Sequence, residues 1–112
     1  MTPSLEDVNE IIVGDLAHCD AEQCAAFRRY KVEPHYVPIR RYGNMESVIV
    51  VARRGSEVIY WEDVEEGFNI SPLDDHGAIR EHWCNQDNLG QALNSWIEGR
   101  NPTAKLDPAE PV

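Results

Sequence analysis

The chain lacks any apolar run that approaches the roughly 20 residues needed for a helix to cross a bilayer. Its first residues, Met1 to Asp7, also lack the basic start and the apolar centre of a signal peptide. We therefore expect a protein that does not enter membranes and that is located in the cytoplasm.

Cysteine is scarce as well, with Cys19, Cys24 and Cys84 in the whole chain. An odd number of cysteines without any sign of secretion argues against a disulfide framework. We expect reduced thiols that pack as small, buried or half-buried side chains.

Positive charge is the third shortage. The chain has 10 basic against 20 acidic residues, and its net charge of −10 repels phosphate backbones and anionic membranes. The charge is unevenly distributed, because residues 28–54 hold seven basic and two acidic residues, whereas residues 57–87 hold one basic and nine acidic residues.

Arginines and aromatic residues are mixed in the basic middle, as in proteins that stack on nucleic-acid bases. The set comprises Arg28, Arg29, Lys31, Arg40, Arg41, Tyr42, Arg53 and Arg54. Because no RNA-binding motif accompanies them, we predict no nucleic-acid partner. Ion pairing with the acidic segment, inside one molecule or between two, is the use that we favour.

The remaining composition is that of an ordinary globular protein. Hydrophobic residues make up 42% of the 112 residues, and this length is typical of one domain with one core. We predict a single α+β domain over residues 1–99. It consists of two N-terminal helices, an antiparallel β-meander of four to five strands, and an amphipathic C-terminal helix packed on the sheet.

Two patterns predict the N-terminal helices. Ser4 followed by Asp7 is typical of a helix start, because the hydroxyl can accept from the free amides of the first turn. Asp20 followed by Gln23 is a variant of the capping box and precedes good helix formers. The second helix is predicted to end before Pro34.

From Pro34 onward, short β-rich runs alternate with turn residues, which is typical of antiparallel strands. Pro38 cannot donate to a ladder, so the first strand is predicted at a sheet edge. The apolar run from Val48 to Ala52 predicts a strand covered on both faces or buried in an interface, and Gly55 with Ser56 suits a tight hairpin. The predicted strands cover residues 35–41, 47–52, 57–61, a run around 68–70, and 78–83.

A stripe of apolar residues at helical spacing predicts the C-terminal helix. It comprises Leu89, Ala92, Leu93, Trp96 and Ile97. Asp87 or Asn85 can cap the start of this helix, and Gly99 followed by Pro102 ends it. Residues 100–112 contain three prolines and few apolar residues, so we predict a flexible tail.

Clustered carboxylates are the most unusual feature of the sequence. Like charges on neighbouring strand ends cost stability unless something positive approaches, so a basic protein partner would relieve that cost. The predicted interaction face comprises Glu62, Asp63, Glu65, Glu66, Asp74 and Asp75. The alternatives are a solvated loop that keeps the domain soluble and paired catalytic carboxylates, for which the sequence identifies no buried acid.

Two further constellations involve cysteine and histidine. His18, Cys19 and Cys24 could bind zinc with His82 and Cys84 if the fold brought them together, but the spacing lacks paired ligand motifs. Cys84 with His82 could form a nucleophile and its base, but no third orienting group can be named. We predict no metal and no cofactor, and whether these five residues converge is left open.

No motif of a known family is present in these residues. In outline, size and acidity the chain is similar to bacterial immunity and other inhibitor-like proteins as a class. We therefore favour a non-enzymatic interaction module, an inhibitor or regulator that presents an acidic face. The alternative is a small enzyme or ligand-binding domain with a pocket between sheet and C-terminal helix, using acids and His76 or His82. The surplus of apolar residues in 48–52 and 58–61 also makes a homodimer that forms through the sheet an alternative prediction.

Overall fold

The computed structural model describes residues 4–41, 43–64, 66–79 and 87–100. The helices and strands in this part of the chain are α1 (Leu5–Leu16), α2 (Ala21–Tyr30), β1 (Lys31–Arg41), β2 (Asn44–Arg54), β3 (Glu57–Glu62), β4 (Gly67–Pro72) and α3 (Leu89–Leu93), followed by a 3-10 turn at Asn94–Trp96. The strands form an antiparallel sheet in the order β1-β2-β3-β4, and α3 packs against it. The predicted α+β class and the β-meander are confirmed. None of the described helices has the length and apolar character that crossing a bilayer requires.

Both N-terminal helices begin where their capping patterns predicted. The Ser4 hydroxyl accepts from the Asp7 amide, and the Asp7 carboxylate accepts from the Ser4 amide. Asp20 and Gln23 form the same reciprocal pair at 2.8 and 2.9 Å. These side chains satisfy amides that the first helical turn leaves without backbone partners.

The first strand is longer than predicted. β1 begins at Lys31, directly after α2, instead of at His35. Its register against β2 is irregular between Lys31 and His35, and this irregularity accommodates Pro34, which has no amide for a regular ladder. β1 lies at the edge of the described sheet, as Pro38 predicted.

The C-terminal helix is shorter than its apolar stripe predicted, because a 3-10 turn replaces the helix after Leu93. Its cap is Asn88, whose side chain forms a reciprocal pair with Gln91. The predicted cap Asp87 is wrong, because Asn88 occupies the N-cap position; the Asp87 carbonyl accepts from the Phe68 amide of β4. The other predicted cap, Asn85, and residues 101–112 of the predicted tail lie outside the described residues.

The predicted strand over residues 78–83 is described only in its first two residues. Ile79 forms isolated bridges with Ile39 of β1 and with Leu73, which follows β4. The Ile79 amide donates to the Pro38 carbonyl at 2.9 Å. The chain after β4 therefore returns to the outer side of β1.

The sheet is apolar on both faces. The face toward the helices packs Ile49, Val51, Ile59 and Phe68 against α1, α2 and α3. The opposite face buries Val37, Ile39, Val48, Val50, Val58 and Tyr60, with Ile79 packed on them. The apolar run of β2 is thus buried on both sides within one chain, and a homodimer through the sheet stays a prediction.

A close contact fixes α3 against α2. The Gln23 side-chain amide donates to the Gly90 carbonyl at 3.1 Å and to the Asn94 side chain at 3.0 Å. A Cβ at position 90 would lie 3.1 Å from Gln23 Nε2 and 3.2 Å from Cys19 Sγ. Glycine therefore allows the two helices to approach to this depth.

Replacing Leu93 by alanine tests whether the C-terminal stripe seals the core. Leu93 is fully buried, so we expect the free energy of unfolding to fall by about 2–5 kcal/mol. Urea unfolding measures the change. Val13→Ala is the control, because Val13 is 69% exposed on α1 and its loss should change stability by no more than about 0.5 kcal/mol. Equal effects of the two variants would contradict the packing described.

The Asp20 carboxylate gives the domain a defined acid sensitivity. The hydrogen bond from the Gln23 amide, followed by the one from Arg100, lowers the pKa of Asp20 below its ordinary value of 3.8. Its stabilising contribution is therefore present above pH 3.8 and is lost as the pH falls through the lower folded-state pKa.

We expect Asp20→Asn, which retains an N-cap side chain, to weaken the acid dependence of the melting temperature. Thermal melts of both proteins from about pH 5 to about pH 2 measure the difference. Parallel curves for the two proteins would show that the Asp20 carboxylate makes no such contribution.

Candidate interaction site around Arg41

Arg41 lies at the end of β1 with a side chain that is 2% exposed. Its Nε donates to Glu46 at 2.6 Å, and its two terminal nitrogens donate to Glu62 at 2.6 Å and to Asp63 at 2.7 Å. One guanidinium therefore joins the start of β2, the end of β3 and the turn that follows β3. We call these four residues the Arg41 cluster.

Burial and ion pairing act on Arg41 in opposite directions. Burial lowers its pKa, but the hydrogen bonds that Arg41 donates to Asp63 and Glu46, with the charges of Glu62 and Asp63, raise the pKa above its ordinary value. The guanidinium is therefore always charged, and its planar set of donors is suited to several carboxylates at once.

Glu62 is the most deeply placed member of the Arg41 cluster. It is fully buried, and its Oε1 accepts from the Val64 amide at 2.5 Å while Oε2 accepts from Arg41. A buried carboxylate requires such partners, because the desolvation penalty for moving the ion out of water is on the order of several kcal/mol when nothing compensates it. Glu62 therefore holds the β3–β4 turn and is not displayed to a partner.

The other predicted acids occupy different environments. Asp63 is half-buried against Arg41, and Glu66 is exposed in a left-handed backbone conformation with φ of 58°. Asp75 is exposed, whereas Asp74 is half-buried. Glu65 lies outside the described residues.

Asp74 organises the turn after β4. Its Oδ1 accepts from the amides of His76 and Ala78 at 2.8 and 3.0 Å, which is an Asx-type turn. The same turn lines a cavity of about 490 Å³ together with Arg40 and Met45. The two predicted acidic segments thus both lie beside the β1–β2 hairpin. The first segment contacts the hairpin through the ion pairs with Arg41, and the segment that contains Asp74 lies across this cavity from it.

Exposed apolar side chains flank the Arg41 cluster. Met45 is 56% exposed and precedes Glu46, while Val64 is 51% exposed and follows Asp63. Glu46 and Asp63 contact the same guanidinium, so Met45 and Val64 both lie at this end of the sheet. Met45 lies on the strand face opposite Glu46, because successive strand residues alternate between faces. We define the acidic rim as Met45, Glu46, Asp63, Val64 and Glu66.

Sequence reasoning missed Glu46 as a member of this site and named Arg41 only within the basic set expected to pair with the acidic segment, a pairing that Arg41 forms with Glu62 and Asp63. The signal for Arg41 was present, because Val37, Ile39 and Arg41 alternate along one strand and all three are buried. An arginine in step with two core residues indicates a buried cation that needs carboxylate partners. For Glu46 no comparable pattern exists, since its neighbours in sequence are exposed.

The predicted cysteine and histidine site is only partly described. His18 is exposed, and Cys19 and Cys24 are half-buried near the turn between α1 and α2. Burial, followed by the proximity of Cys24, Asp15 and Asp20, raises the pKa of the Cys19 thiol. Within the described ranges, no three His, Cys, Asp or Glu residues are grouped to hold a metal ion. His82 and Cys84 lie outside those ranges.

The space between the sheet and α3 is occupied by core side chains. Leu89 and Leu93 are fully buried, and Trp96 is buried beside them. The Trp96 indole donates to Glu57 at 3.0 Å and packs edge-on against Tyr30. Leu89, Leu93 and Trp96 of the helix stripe are therefore part of the core, and Trp96 with Ile97 also borders a cavity of about 250 Å³ beside α2.

Comparisons of the chain with protein-family models, with curated proteins and with solved structures each gave no match.

Replacing Arg41 tests its role in holding the rim. Arg41→Met removes the guanidinium from buried Glu62, so we expect the free energy of unfolding to fall by about 3–5 kcal/mol. Arg41→Met/Glu62→Gln should lose less stability than Arg41→Met alone, because the buried charge is removed with its partner. Urea unfolding of both variants makes this comparison.

Arg40→Met is the matched control, since Arg40 is the exposed neighbour of Arg41 on the same strand. We expect it to change stability by no more than about 0.5 kcal/mol. If the Arg40 and Arg41 variants lost the same stability, the Arg41 cluster would not be the structural centre of the rim.

Proposed function

We propose that this protein is a non-enzymatic interaction module, an inhibitor or regulator, whose acidic rim docks a basic protein partner. The observation that supports this proposal is the position of Met45 and Val64. Both are large apolar residues exposed to solvent at the end of the sheet near Arg41, and each is adjacent in sequence to a carboxylate that contacts the Arg41 guanidinium. Carboxylates mixed with exposed apolar side chains suit a surface that binds protein.

Rigidity of the rim also favours this function. Glu46 and Asp63 are held from beneath by Arg41, and the turn containing Val64 is held by the buried Glu62. Side chains that are ordered before binding lose less conformational entropy when a partner docks. Partner lysines or arginines would find carboxylates that are already in position.

The enzymatic alternative has less support. Paired-carboxylate catalysis needs an acid and a base that face one substrate-sized cleft. Glu62 is buried against Arg41, and the space between sheet and α3 that such a cleft would occupy is filled by Leu89 and Leu93. These observations therefore favour a role for the same carboxylates as fixed charges of a docking surface over a role in proton transfer.

Charge reversal on the rim tests the proposal. In Val64→Lys/Glu66→Lys both changes lie on exposed turn residues and leave the Arg41 cluster intact. We expect the wild type to capture a basic protein from a native lysate at low salt, and the rim variant to lose this capture. Quantitative mass spectrometry of the captured proteins measures the difference.

Glu10→Lys/Val13→Lys is the matched control. It makes the same two types of substitution at exposed positions of α1, so the change in net charge is identical. The control should retain capture. Absence of any captured partner, or equal loss in both variants, would refute docking through the acidic rim.

A further inference from the structure

An exposed basic surface lies at the end of the sheet opposite the acidic rim. We define the basic surface as Arg28, Arg29, Lys31, Arg53 and Arg54, all of which are exposed. Arg28 and Arg29 form the last turn of α2, and Lys31 follows that helix as the first residue of β1.

Strand register places the members of the basic surface at one end of the sheet, with Arg53 on the face opposite Arg54. Lys31 lies opposite Ala52 of β2, and Arg54 is two residues beyond Ala52 on the same face of that strand. α2 packs on β2, so its basic last turn lies beside the same strand end. Arg53 and Arg54 end β2 at the hairpin that leads into β3.

These cations are not neutralised by neighbouring acids in the described structure. The ion pairs formed within residues 4–41, 43–64, 66–79 and 87–100 use Arg41 and Arg100 as their cations. Among the nearby carboxylates, Glu33 is exposed, and Glu57 lies opposite Arg54 in the strand register and accepts from the indole of Trp96. Glu22 lines a cavity with Arg29, and it pairs with Arg100. Five positive charges against these three negative charges leave the surface positive.

The two charged surfaces occupy opposite ends of one strand. β2 begins in the acidic rim with Met45 and Glu46 and ends in the basic surface with Arg53 and Arg54. Arg53 lies seven residue steps beyond Glu46 along the strand, a span of about 23 Å at 3.3 Å per step. The Debye length at physiological salt is about 8 Å, so the two surfaces cannot neutralise each other within one molecule.

We infer that the acidic rim of one molecule docks on the basic surface of a second copy, so that the protein associates head to tail. This inference rests on the proposed function of the rim and names its partner as a second copy that offers the basic surface. Because the two contacting surfaces differ, the interface is heterologous, and repeated contacts lengthen the assembly without closing it unless the rotation forms a ring. Charge complementarity between the two surfaces argues for this occupant, and it acts locally against the repulsion between two chains that each carry a net charge of −10.

Sedimentation velocity of the purified full chain tests the inference. At about 20 mM salt we expect the mean sedimentation coefficient to rise with protein concentration, and the rise should disappear at about 300 mM salt. Val64→Lys/Glu66→Lys and Arg53→Glu/Arg54→Glu should each weaken association by at least about tenfold. The milder Arg53→Gln/Arg54→Gln supplies the same test if the reversed pair does not fold by circular dichroism.

Mixing the two single-surface variants gives the decisive result. Each variant keeps one intact surface, so an equimolar mixture should form a 1:1 dimer that does not grow further, whereas neither variant associates alone. Glu10→Lys/Val13→Lys should associate like the wild type.

Three outcomes would overturn the inference. One is a wild type that remains monomeric at low salt, and another is a mixture that fails to form the dimer. The third is a single-stranded DNA oligonucleotide that binds the wild type but not Arg53→Glu/Arg54→Glu, without self-association. Since capture from lysate is a separate readout, rim-dependent capture together with a monomeric wild type would refute the second copy alone and leave the proposed function in place.

Discussion

The end of the sheet where two hairpin connections meet depends on a single buried guanidinium. Arg41 joins Glu46, Glu62 and Asp63, so the β1–β2 hairpin and the β3–β4 turn have one common anchor. A buried ion cluster of this kind adds little net stability compared with an apolar core, but removal of one member is costly. Its main effect is therefore on arrangement, because it fixes which surface the two connections form together.

Around this anchor, the fold divides its apolar side chains between two faces of one thin sheet. The helices cover one face, and Ile79 packs on the other face. β2 is buried along both faces for this reason. The charged surfaces then lie at the strand ends. The acidic rim lies at the end near Arg41, and the basic surface lies at the opposite end.

Local patterns in the sequence predicted much of the fold. The two capping pairs, the Pro38 edge strand and the hairpin at Gly55 are set by neighbouring residues, so the sequence contains their causes. The boundaries of β1 and α3 depended on tertiary contacts, namely the irregular register around Pro34 and the pairing of Asp87 with β4. Such contacts join distant segments and leave no local periodicity.

The candidate site was predictable only in part for the same reason. Sequence clustering identified Glu62 and Asp63, but the cation that binds them is 21 residues from Glu62 along the chain. Counting charge by segment located an acidic and a basic region, and it could not distinguish a buried carboxylate from an exposed one. Burial of Glu62 changes its role from a docking residue to a support of the residues that dock.

The close approach at Gly90 restricts how this protein can evolve. The space that a Cβ would need is already taken by Gln23 and Cys19. A larger residue at position 90 requires Gln23 or Cys19 to shift by a few tenths of an ångström, or a smaller residue at position 19 or 23, so relatives of this chain should show covariation among these three positions.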